Sequence, residues 1–87
     1  MTKLIYLELD VLKPSEPPIN ELSKSLLACH GVRTVDVSVR EMDRKVETIA
    51  IKLYGDNMSL TQIRGKIEDF GAVIHSLDRV ISGKKLK

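Results

Sequence analysis

The chain is predicted to be an α+β sandwich, a four-stranded antiparallel sheet with two helices on one face. Three observations lead there. Four stretches alternate apolar and polar residues, two repeat apolar residues at helical spacing, and turn residues separate them in the order strand–helix–strand–strand–helix–strand. With 87 residues there is room for a single domain, 1–87, whose last residues 82–87 read as a basic tail.

The first strand is "KLIYLELDVL", residues 3–12. Ile5, Leu7, Leu9 and Val11 fall on one face, with Tyr6, Glu8 and Asp10 on the other. "KPSEPP" ends it, since Pro14, Pro17 and Pro18 cannot donate to a ladder. Ser15 is the expected N-cap of the first helix. Ile19, Leu22, Leu26 and either Cys29 or His30 make its stripe, and Gly31 closes it in a left-handed conformation.

"VRTVDVSVRE" alternates next, with Val35, Val37 and Val39 inward and Asp36, Ser38 and Arg40 outward. "MDRK" turns the chain into "VETIAIKLYG", where Ile49, Ile51 and Leu53 face inward and Thr48, Ala50 and Lys52 outward. After the loop "GDNMS", Ser59 and Gln62 have capping-box spacing. Leu60, Ile63, Ile67 and Phe70 trace the second helix, and Gly71 ends it. "AVIHSLDRVISGKK" is the last strand. A short internal echo, "VRTVD" against "IHSLD", places Leu77 with Val35 toward the helices and Ser76 and Asp78 on the open side. Strict alternation then puts His75 on the helix side.

The order of elements is the split βαβ or ferredoxin-like plan, with expected strand order 4-1-3-2. The uncovered face collects Tyr6, Glu8, Asp10, Asp36, Ser38, Arg40, Thr48, Ala50, Lys52, Ser76 and Asp78. Its oxygen-rich character suits a hard cation, Ca²⁺ or Mg²⁺, with Glu8, Asp10 and Asp78 as the ligands. Two other readings stand beside it: a solvated polar face held by cross-strand charge pairs, and a contact surface between subunits.

Composition narrows the function classes. Hydrophobic residues make up 43% and charged residues 30%, with net charge +2 and the signs interspersed. The lone Cys29 excludes a disulfide framework and a cysteine metal site. Acids at Glu8 and Asp10 interrupt the apolar start, so neither leader nor membrane span is expected, and a cytoplasmic location is the default. The loop after the first strand has neither phosphate-binding glycines nor a Cys-x-x-Cys. Tyr6 and Tyr54 are the only aromatics placed for base stacking and lack a basic surround, so nucleic acid is not an expected partner. His75 beside Asp10 is the one acid–base pairing in view, without a nucleophile to complete it, and His30 reads as a helix C-terminal residue.

With these residues laid out, a resemblance becomes specific. "LELDVLKPSEPPINELSKSL", "CHGVRTVDVSVREMD" and above all "GAVIHSLDRVISGK" resemble an archaeal family designated domain of unknown function two hundred and eleven. Relative to its pattern, Ala72 replaces a common glycine and Leu77 a common isoleucine. The resemblance implies a ferredoxin-like fold and a homo-oligomer, a ring being one form, and it carries no activity. It singles out Asp10, Lys13, Pro14, His75, Ser76, Asp78, Gly83 and Lys84 as site or interface positions. The resulting expectation is an oligomeric interaction or regulatory module binding a divalent cation or small polar ligand. Its alternatives are a structural homo-oligomer without ligand and an enzyme using His75 and Asp10.

Overall fold

A computed structural model describes residues 2–84. The elements are β1 (Thr2–Pro14), α1 (Ile19–Leu27), β2 (Val32–Met42), β3 (Val46–Gly55), α2 (Leu60–Asp69) and β4 (Val73–Lys84). They build one antiparallel sheet in the order β2-β3-β1-β4, the ferredoxin-like arrangement expected. Residues 82–84, read both as the end of the last strand and as the start of the basic tail, belong to β4, where Lys84 pairs with Thr2. The remainder of that tail lies outside the described residues.

The core forms where the alternations meet the helices. Leu7, Leu9 and Val11 of β1 and Ile49, Ile51 and Leu53 of β3 pack against Leu22 and Leu26 of α1 and Ile63 and Ile67 of α2. Cys29, not His30, completes the α1 stripe, and burial pushes its thiol upward, partly opposed by Lys66. The helices have 9 and 10 residues, so each spans about 15 Å. The 13 residues of β1 run about 43 Å. The helices therefore cover only part of the sheet.

Helix α1 starts later than the sequence suggests. Pro18 occupies the N-cap with no side-chain bond, and the Ser15 amide instead donates to the Lys45 carbonyl at 3.0 Å. Ser15 stands four residues before Ile19, where the helix begins, so its hydroxyl is out of position to cap. At α2 the capping box is half made. The Gln62 amide donates to Ser59 Oγ at 3.2 Å, but the Gln62 side chain accepts from the His30 amide at 2.8 Å. The Ser59 amide donates to the His30 carbonyl, so the turn after α1 and the start of α2 are tied together. Gly31, at φ +82°, crosses the Asp56–Asn57 backbone so closely that a Cβ would lie 2.5 Å from the Asp56 carbonyl oxygen.

Candidate functional site

On the open face, pairing between strands sorts the residues into rows. Thr34, Tyr54, Tyr6 and Ile81 form one row, Asp36, Lys52, Glu8 and Arg79 the next, Ser38, Ala50, Asp10 and Ser76 the third, and Glu41, Thr48, Leu12 and Val73 the fourth. The second row alternates in sign across all four strands. Directly opposed side chains stand about 5 Å apart, so each charge meets opposite neighbours.

Glu8 is at the centre of that row and is already engaged. The Tyr6 hydroxyl donates to its Oε2 at 3.0 Å, and Lys52 Nζ lies 4.0 Å away. Partial loss of hydration and the adjoining carboxylate push the Tyr6 phenol up to about 12. The Arg79 guanidinium lies 5.8 Å from the Tyr6 ring centre, while Tyr54 packs against Tyr6 at 4.9 Å between centroids.

The pairing of β1 with β4 is interrupted three times. At each interruption one residue is extra: Ile5 on β1, and Asp78 and His75 on β4. A bulge of this kind breaks the period of two. Ile5 therefore leaves the core, where it was expected, and lines a shallow depression with Tyr6, Tyr54, Arg79 and Ile81, while Leu4 packs against the core in its place. His75 likewise departs from the helix side predicted for it. Its Nδ1 lies 3.4 Å from Asp10 Oδ2 on the open face, with the imidazole 68% exposed. Leu77 pairs with Leu9 on the helix side and Ser76 with Asp10 on the open side, as the echo indicated. On β2 a similar shift makes Arg40 the extra residue, and Glu41 takes its place opposite Thr48.

The structure thus brings Asp10, His75, Ser76 and Asp78 together. Ser76 Oγ donates to Asp78 Oδ1 at 2.6 Å, and Ser76 is the register partner of Asp10. Glu8 stands one row away in its own charge ladder. Among the described residues no three His, Cys, Asp or Glu side chains converge as a metal-holding group. Asp10 and His75 have the composition of an acid–base pair; His75 stands in solvent on the edge strand β4, and Asp10 is half-buried on the interior strand β1.

Lys13 is elsewhere. It is fully buried on the helix side, where Nζ donates to the Pro14 carbonyl at 2.7 Å, the Ser15 carbonyl at 3.4 Å and Glu47 Oε1 at 3.3 Å. These bonds fix the exit of β1 against β3, a structural task that the motif "LDVLKP" did not reveal. Lys84 is at the far end of β4, opposite Thr2, and Gly83 is next to it. No helix among the described residues is long and apolar enough to cross a membrane.

Residues 6–87 match the model of the DUF211 family, described as uncharacterized ArCR. The chain belongs to the DUF211 family. An uncharacterized protein of Methanocaldococcus jannaschii, MJ0319, is 36% identical over 78 residues, which is 90% of this chain and 80% of that relative. The DUF211 match covers both the "LDVLKP" exit and the "VIHSLDRVISGK" strand, the stretches that carried the resemblance.

Proposed function

We propose that this chain is a small self-associating interaction module, with the open sheet face as its working surface. The observation that carries this reading is the apolar surface at both ends of that face. Ile5 and Tyr54 are 37% and 43% exposed at one end, and Leu12, Val46 and Val73 are 42%, 37% and 63% exposed at the other. A sheet face designed only for water would be polar along its length, and a chain of this size gains by covering such surface with a partner. Static light scattering tests the reading: an assembled species supports it, and a monomer at micromolar concentration removes it.

A divalent cation or small polar ligand at Asp10 and Asp78 is the finer form of the proposal. Ser76 donates to Asp78 and is the register partner of Asp10, and magnesium is commonly held by one or two carboxylates with its remaining positions filled by water. Glu8 contributes less, because Tyr6 and Lys52 occupy it. Titrating CaCl₂ or MgCl₂ against the melting temperature is the test. Binding would raise stability by about 1.4 kcal/mol per tenfold rise in free ion above Kd, and Asp10→Ala would abolish the rise. An assembly whose melting temperature ignores both ions would leave the module structural and without a ligand.

A further inference from the structure

We infer that the open face docks a second copy of itself about a two-fold axis parallel to the strands. This rests on the self-association reading above and gives it a geometry. The charged row reads Asp36, Lys52, Glu8, Arg79 from β2 to β4, minus, plus, minus, plus. A copy laid face to face about that axis presents the same row with its strand order reversed. Asp36 then meets the partner's Arg79, and Lys52 meets the partner's Glu8. Each remaining contact is one of these two, related by the axis. A row that alternates over an even number of strands is complementary to its own reverse, so all contacts are attractive.

The other rows fit the same axis. Tyr54 comes over the partner's Tyr6, Ser38 over the partner's Ser76, Leu12 over the partner's Thr48 and Val73 over the partner's Glu41, where the aliphatic part of the longer side chain covers it. A two-fold axis across the strands does worse: centred on the four rows, it sets Glu8 against the partner's Asp10 and leaves Asp36, Lys52 and Arg79 opposite uncharged Ser38, Ala50 and Ser76. Two stacked sheets normally keep their strands within about 30° of each other, and an in-plane two-fold parallel to the mean strand direction generates that relation. Four strands by four side-chain rows make a platform about 19 Å by 27 Å, about 500 Å² in projection. Side-chain relief brings its accessible area toward the ~800 Å² that a standard interface buries per partner.

The test is a mixing experiment on the intact chain. Glu8→Lys places like charges at the paired central positions of a homodimer, and Lys52→Glu does the same with the opposite sign. Each variant alone is expected to weaken association about a hundredfold, as like charges in an interface do. Mixed in equal amounts the two chains present fully complementary rows, and light scattering should show association restored. Circular dichroism checks that each variant folds. If a central variant does not, Asp36→Lys and Arg79→Glu on the edge strands form a second complementary set with the same expected behaviour. A wild type that assembles while both sets remain assembled when unmixed, or fail to recover on mixing, overturns this docking and leaves self-association through another surface. A monomeric wild type overturns both.

Discussion

Strands β3 and β4 flank the same strand, β1, and meet it in different ways. From Tyr6↔Tyr54 to Pro14↔Val46 the β1–β3 ladder runs without a shift, whereas the β1–β4 ladder shifts three times. The consequence is visible on the helix side. Ile49, Ile51 and Leu53 of β3 are completely buried, while Leu77 and Val80 of β4, on the same side of the sheet, are 47% and 46% exposed. An unbroken ladder in the middle of the sheet keeps every second side chain under the helices. A bulged ladder at the edge twists its strand outward and frees residues that the alternation would have assigned. The regular pairing holds the fold, and the interrupted one presents His75 and Asp78.

The largest effect should come from the end of the regular ladder, where Lys13 pairs with Glu47 and both are buried. Glu47→Leu leaves the ammonium with two carbonyl acceptors and no counter-charge. Urea denaturation should show a loss of about 3–5 kcal/mol, and the double variant Lys13→Met with Glu47→Leu should recover most of it. A single variant as stable as the wild type would mean that the pair contributes nothing to this ladder. Next in size is the contrast between the strands themselves. Ile51→Ala opens a cavity in a closed site and should cost about 2–5 kcal/mol, while Leu77→Ala, half exposed already, should cost under about 1 kcal/mol. Equal losses would show that β4 packs as tightly as β3.

This contrast also separates what could be read in the residues from what could not. The rows Leu7–Leu9–Val11 and Ile49–Ile51–Leu53 and the stripes Leu22–Leu26 and Ile63–Ile67 declared the core and the order of elements, because each depends only on its own segment. The bulges at Ile5, His75 and Asp78 depend on how two distant segments register, and nothing inside either segment records that. This is why strict alternation puts Ile5 and His75 on the wrong face. The Lys13–Glu47 pair did leave a signal. Lys13 extends the inward row of β1 and Glu47 begins the inward row of β3, so opposite charges close two rows that a hairpin-like pairing would set side by side. The sign-alternating row across the open face required the register of all four strands before it could be seen.

The smallest expected effect concerns Tyr6, which sits where the two kinds of ladder diverge, opposite Tyr54 on one side and beside the Ile5 bulge on the other. Its phenol is pushed up to about 12 from 10.0, first by lost hydration and then by the hydrogen bond and charge of Glu8. Below the unfolded value both states keep the proton, and the tyrosine adds no pH dependence. Between about 10 and about 12 the unfolded chain releases its proton first, so stability falls as pH rises through that window. Cys29, raised by burial, contributes in the same direction in any variant that retains it. Tyr6→Phe should therefore flatten, but not remove, the alkaline decline in melting temperature. It should also remove the tyrosinate absorbance step near 12. An alkaline limb identical to that of the wild type would show that Glu8 does not hold Tyr6 in solution. The charge row would then lose the contact that fixes its centre.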